Sequence, residues 1–279
     1  AISPDGRYVA FLNNGYGHSM SGFRKSIAIH DRVTGLVSDF TEPGTGLNFD
    51  GPADICTPFY GLAFSSNGKH LYLSLASTRQ DAKTGDRTQN GIRIFSVAER
   101  GLHPVGFIQI RPSDVPLPEG VRQNNPSPTP SGLSVKPDPD NPGEDLIYAA
   151  LTLSDAAVEL SSAFKRVNRA SDLHTNPAHP ALPAEYPYAT ALSPDAKTLY
   201  VSLYNGSAVS VVDLATGKSS HLPVGLQQTG PSSPSSHPSH LAVHPAGKAI
   251  FVAVENTDLI SIIDNDPSSK TYRKVAGNF

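Results

Sequence analysis

Apolar residues along this chain fall in short runs broken by polar turns, and no apolar pattern of helical period persists for a useful length. Strands are therefore expected throughout. The runs also repeat. Four segments share one order: a small apolar residue, then Ser or His, a turn, a basic residue and an apolar strand. They open at Ala1, Ala63, Ala191 and Ala242. A fifth copy is stretched, with Leu133 to Pro137 separated from Leu146 to Ala150 by an insertion from Asp138 to Glu144. At the centre of three copies stand Asp5 and Gly6, Asn67 and Gly68, and Ala246 and Gly247. These pairs place a residue tolerant of positive φ where a tight hairpin needs one. Ala196 replaces the glycine in another copy, so that turn either is not of the primed type or carries strain.

A second strand follows in each copy, at Ser26–Ile29, Ile92–Phe95, Val158–Leu160, Val209–Val212 and Ile260–Ile263. Three of these runs lead to an aspartate, Asp31, Asp213 or Asp264, and then to a polar turn. A weaker closing strand comes last, as at His221–Val224 and Tyr272–Val275. Four short strands per repeat make the unit of a propeller blade. A β-sandwich would also supply many short strands, but the fixed order of turn types favours the propeller. The expected fold is all-β: a β-propeller of four-stranded blades in one domain. Five blades are visible, at about 1–44, 58–111, 132–170, 187–225 and 238–279.

The repeat resembles that of the YVTN-family β-propellers. The likeness is plainest from Ala191 to Gly225, in Ser193, Pro194 and Asp195, in Leu199, Tyr200 and Val201, in Val209 to Asp213, and in Ala215 to Lys218. Ala1 to Gly6, Asn13 to Gly17 and Tyr186 to Pro194 also resemble the propeller region of bacterial proteins that carry an alkaline-phosphatase-like phosphoesterase domain. That domain has no counterpart here, so its chemistry transfers to no residue of this chain. The resemblance implies export to the periplasm or cell surface and a ring of seven blades, and hence that this chain is incomplete at one or both ends.

Within a blade the strands are called A to D from the axis outward. The A–B connections, apart from that of the third copy, and the C–D connections read as short. The long connections are D–A, at about 41–57, 111–131, 170–185 and 226–236, and B–C, at about 13–25 and 76–90. These two kinds emerge on the same face of a propeller, so the insertions are polarised, which marks a binding surface. They could equally do no more than cap the ring. Aromatic and His residues near the start of A strands are the candidate ligand or partner contacts: Phe59, Tyr60, Tyr186, Tyr188, His237 and His240. Packing between blades would account for the aromatic ones as well.

Candidate chemistry is otherwise sparse. His237, His240 and His244 have helix-like spacing in a strand, where His240 and His244 would lie about 13 Å apart, too far for one ion. Asp138 to Glu144 fails the calcium-loop pattern, since Pro142 takes the fifth position. No Gly-x-Ser-x-Gly nucleophile motif occurs, and Cys56 is the only thiol. With one cysteine an internal disulfide is impossible. There is no tryptophan, which weighs against quinone-cofactor propellers. No catalytic residue, metal or cofactor is therefore expected. A net charge of -3 gives no reason to expect nucleic acid, and no apolar run is long enough to span a membrane. Two functions stay open: a non-catalytic propeller that docks a protein partner through its loop-rich face, or a hydrolase, either lactonase-like or the propeller half of a phosphoesterase. A peripheral subunit of a large membrane-associated assembly is a third.

Overall fold

A computed structural model of the chain describes residues 1–13, 26–40, 57–76, 90–98, 101–123, 127–176, 178, 180–225 and 235–279, with backbone only at 57–60. Of the expected insertions at 13–25, 41–57, 76–90 and 226–236, residues 14–25, 41–56 (with Cys56), 77–89 and 226–234 lie outside the described residues, as do the side chains of Phe59 and Tyr60. Among the described residues there is no α-helix, only strands and two short 3₁₀ turns.

Four antiparallel meanders carry most of the strands. The first sheet has β1 (Tyr8–Asn13), β2 (Ser26–Asp31) and β3 (Val37–Phe40). The second runs β4 (Thr57–Phe64), β5 (His70–Ala76), β6 (Gly91–Ala98) and β7 (Gly101–Gln109). After a short strand β8 (Arg122–Gln123), a third sheet is formed by β9 (Pro130–Pro137), β10 (Asp145–Leu151), β11 (Ala156–Ser161) and β12 (Arg166–Asp172). Past β13 (Ala181–Leu182), the fourth sheet holds β14 (Pro187–Leu192), β15 (Thr198–Leu203), β16 (Ala208–Asp213) and β17 (Ser219–Pro223). The fourth meander, the fifth sheet, is β18 (Pro238–Val243), β19 (Ala249–Val254), β20 (Leu259–Asp264) and β21 (Lys274–Asn278).

These are the four-stranded sheets of a propeller-type fold. The first is one strand short of the expectation, because its A strand is reduced to a single bridge, Ile2 to Val9. The last C–D connection is also longer than expected: β21 starts at Lys274 rather than Tyr272, and 265–273 form a turn. That turn is held by Asp264, whose carboxylate accepts from the Asp266 amide and from Thr271 Oγ1.

The repeated turn explains its own sequence. Ser3, Pro4, Asp5 and Gly6 form a turn closed by Gly6 N–H donating to Ser3 O, with positive φ (70°) at Gly6. Proline suits its second position and Gly its fourth. The Ser3 hydroxyl donates to Asp5 Oδ1 at 2.6 Å and accepts from Tyr8 N, and Asp5 Oδ1 also accepts from Arg7 N. Ser65 with Asn67, and Ser193 with Asp195, make the same bonds. Ala196 takes the glycine's role at φ 52°, so that turn does carry a left-handed residue with a Cβ. The aspartates after the C strands accept from the next turn's amides, as Asp213 does from Ala215 and Thr216.

The chain divides into two compact units. The first comprises Ala1–Asp114, Ser127–Ile147 and Glu159–Asn168, and the second Val115–Pro126, Tyr148–Val158 and Arg169–Phe279. In the first, Ala10, Ile27 and Ile29 pack with Phe64, Leu71, Leu73 and Phe95, so the first two sheets share one apolar core. Buried Tyr72 donates to Asp145 Oδ2 at 2.6 Å, tying β5 to the third sheet; burial and that carboxylate push its phenol well above the usual tyrosine range. Gly61 lies so close to β9 that a Cβ would stand 2.0 Å from Ser131 O, which excludes any larger residue. In the second unit, Val209, Val211 and Val224 pack against Ile250, Val252 and Ile263. There Tyr200 accepts from Asn265 Nδ2 at 2.9 Å.

Candidate binding site

Three A strands begin at a proline, Pro130, Pro187 and Pro238, and β4 has Pro58 as its second residue. Proline fits the first residue of a strand, where no ladder donor is required. In three sheets the A–B register slips just after it, between Pro58 and Leu62, Pro187 and Thr190, and Pro238 and Leu241. Such bulges re-aim side chains at strand ends.

In the second unit the B–C connections are four residues long and alike: 152–155, 204–207 and 255–258. The last residue of each is left-handed, with φ 42° at Asp155, 51° at Ser207 and 49° at Asp258. The first two clasp a neighbouring D–A connection through that residue's side chain. Asp155 accepts from the amides of Ala184, Glu185 and Tyr186 at 2.6, 3.0 and 3.1 Å. Its burial pushes the carboxyl up to about 6, against the downward pull of those three donors. Ser207 Oγ has the same role in the next sheet, accepting from Ser236 N at 2.9 Å. Asn205 donates to Ala184 O, and its counterpart Asn256 to Ser235 O. The B–C and D–A connections of this unit therefore meet at one end of its sheets. In the first unit the corresponding pair, Asn90 and Ser127, meets likewise at 2.7 Å.

The long D–A connections are joined too. β8 lies in one and β13 in the next, and they pair in parallel, Arg122 with Ala181 and Gln123 with Leu182. Arg122 N also donates to Pro180 O at 2.7 Å.

At this end of the fourth and fifth sheets four rings form a row. His237 stacks on Tyr204 at 4.2 Å and 13° between planes. Tyr204 meets Tyr188 at 5.6 Å with a 46° tilt. Tyr188 meets His240 edge to face at 6.4 Å. The Tyr204 hydroxyl donates to Glu255 Oε2 at 3.2 Å. Burial, with Glu255 nearby, raises both phenols above their ordinary range, so both rings stay neutral. Backbone strain helps set the row. Tyr186 and His237, each directly before an A-strand proline, have φ of 52° and 53°. A residue before proline normally stays extended, and non-glycine residues rarely turn left-handed.

Of the expected contacts, Tyr188, His237 and His240 come together. Tyr186 instead lies at the Asp155 clasp, where its amide is held. His244 stands apart at the A–B turn, its Nδ1 accepting from Ala246 N at 3.1 Å. Tyr204, Glu255 and Asp155 are not among the expected residues. The available signal is positional: each sits in the short B–C connection that follows an apolar B strand. Among the described residues, no three His, Cys, Asp or Glu side chains are grouped to hold a metal ion.

The fold has counterparts among solved structures. A functionally unknown protein from Desulfotomaculum acetoxidans matches over all of this chain and 69% of its own, at 16% identity and a TM-score of 0.59. A streptogramin B lyase matches over 97% of this chain and 74% of its own, at 16% identity and a TM-score of 0.51. A protein of unknown function from Bacteroides caccae matches over 98% and 72%, at 13% identity and a TM-score of 0.52. At such identities the likeness establishes an all-β, propeller-type fold and nothing of chemistry. No protein-family model matches the chain, and no curated protein sequence does.

Proposed function

We propose that this is a YVTN-type β-propeller, a single domain that acts as a non-catalytic binding module in the periplasm or at the cell surface. It docks a protein partner through the end where the B–C and D–A connections meet. The observation that carries this reading is the row His237, Tyr204, Tyr188 and His240, set on clasped connections rather than in an apolar core. Partly exposed tyrosines on a rigid frame are strong contact residues, because they offer large area for little lost side-chain freedom.

A photo-crosslinker tests it. p-Benzoylphenylalanine replaces His240 in one protein and Lys248 in another, and each is irradiated in extract of the source cells. Lys248 lies at the A–B turn of the same sheet, so it controls for the fold. A discrete crosslinked product from position 240 and none from position 248 is expected. Equal products from both, or none from either, would remove the reading.

A further inference from the structure

We propose that a groove on the third sheet, at the end that carries its A–B and C–D connections, binds a neutral saccharide. It is a second site and does not depend on the docking surface above.

An insertion sets this sheet apart. Its A–B connection runs from 138 to 144, where the counterparts are 65–69, 193–197 and 244–248. The added residues form a fixed wall. Asp138 is buried, and its carboxylate accepts from Asp140 N at 3.0 Å and from Asn141 Nδ2 at 2.8 Å. Asn67, in the turn of the second sheet, donates to Gly143 O at 2.9 Å, and Ser162 Oγ donates to Glu144 Oε2 at 2.6 Å. The insertion is thus held at both its ends, and the groove beside it exists before any ligand arrives.

The groove has a volume of about 680 Å³ and lies between this wall, β10 and β11, and the C–D turn with β12. Small-molecule sites span about 300–1,000 Å³. Its lining sets apolar Leu146 and Val167 beside the carboxylates of Asp140 and Glu159, the Arg166 guanidinium and the Asn141 amide. Among the described residues, the Asp140 carboxylate and the Arg166 guanidinium have no hydrogen-bond or ion-pair partner, and they do not pair with each other. The class of ligand follows from that mixture. A cation meets an uncompensated guanidinium, and an anion meets Asp138, Asp140 and Glu159. A neutral ligand rich in hydroxyls suits both signs, since a hydroxyl donates and accepts, whereas a carboxylate only accepts and a guanidinium only donates. A saccharide also brings apolar C–H faces for Leu146, Val167 and the ring of Phe164. That ring lines the same groove, is 60% exposed, and has Arg166 at 5.2 Å from its centroid.

The test is a calorimetric titration of the full chain together with its methyl NMR spectrum, in which the Leu146 and Val167 signals report on the groove. The probes are maltose, cellobiose and diacetylchitobiose, each with its hexamer, and spermidine and citrate as charged alternatives. Saturable binding of at least one sugar, with shifts at Leu146 and Val167, is expected, weakened about tenfold in Asp140→Ala and in Phe164→Ala. Both side chains are exposed, and the Asp140 group that holds the insertion is its amide, so both variants keep the fold. Tighter binding of a hexamer identifies a glycan chain as the ligand, and equal binding a free sugar. No saturable binding of any sugar, binding without shifts at Leu146 and Val167, unchanged affinity in both variants, or tighter binding of spermidine or citrate at these signals would each overturn the assignment.

Discussion

At one end of the fourth sheet, Ser193 and Asp195 make the hydrogen bonds that Ser3 and Asp5 make in the first sheet, and Ser65 and Asn67 in the second. At the other end, backbone positions that are just as regular carry Thr152, Tyr204 and Glu255 at the head of successive B–C connections. The turn end repeats chemistry along with geometry. The loop end repeats geometry and varies chemistry. A turn that must only reverse the chain has one economical solution, and each of these copies uses it. A surface that meets something outside the sheets gains nothing from repetition, so there the scaffold is uniform while its side chains differ.

The contrast can be broken most severely at Asp155. Asp155→Ala leaves three amides of 184–186 without their acceptor. A cost of about 3 kcal/mol is expected from denaturant unfolding, since each buried donor left unpaired costs about 1–3 kcal/mol. Asp155 also gives the stability a pH signature. Its carboxyl is raised from 3.8 to about 6, so the folded state holds the proton longer than the unfolded one. Its contribution is then most favourable below about pH 4 and declines as pH rises through the window up to about 6, remaining low above it. In Asp155→Asn that downward slope should vanish from the stability–pH curve. An identical slope in both proteins would show that the carboxyl titrates normally.

A milder loss is expected at the turn end. Ser193→Ala removes one hydroxyl that donates to Asp195 and accepts from Thr198, at a cost of about 1 kcal/mol. Ser65→Ala removes a hydroxyl bonded in the same geometry, though to the neutral Asn67 amide oxygen rather than to a carboxylate, so a comparable cost of about 1 kcal/mol is expected, and binding at the loop end should not change in either. A large difference between the two serines would break the claim that the turns are equivalent. The smallest effect is expected from Ala196→Gly. Relief of a left-handed alanine is offset by glycine's extra freedom in the unfolded chain, leaving a net gain of about 0.5 kcal/mol in thermal unfolding.

How much of this is legible in the sequence depends on what each signal encodes. The Ser-Pro-Asp-Gly turn, the β-branched C strands and the aspartates after them are local solutions, and each strand built on them stands where its run of residues stands. The recurrent prolines Pro58, Pro130, Pro187 and Pro238 also stand at or next to the start of A strands, a regularity present in the sequence but overshadowed by the stronger turn motif. Asp155, Tyr204 and Glu255 cannot be read in the same way. Their partners lie 29 to 31 residues distant for Asp155 and 51 for the Tyr204–Glu255 pair, so beyond their position after an apolar B strand nothing local marks what they bind. The left-handed backbone at Tyr186 and His237 runs against the preference of a residue before proline, and arises from the clasp and the bulge that flank it. The short A strand of the first sheet and the longer turn at 265–273 show where the repeat is less regular than its sequence suggests.

The pairing of β8 with β13 ties two insertions that lie more than fifty residues apart in the chain. Neither can be shortened or exchanged alone without stranding the backbone groups of the other. For anyone wishing to graft new recognition onto this scaffold, the two segments are one module and must be transplanted, diversified or deleted together, whereas in the four-residue connections at 204–207 and 255–258 positions 204 and 255 can be varied so long as Asn205, Ser207 and Asn256, whose side chains hold the neighbouring connections, are kept.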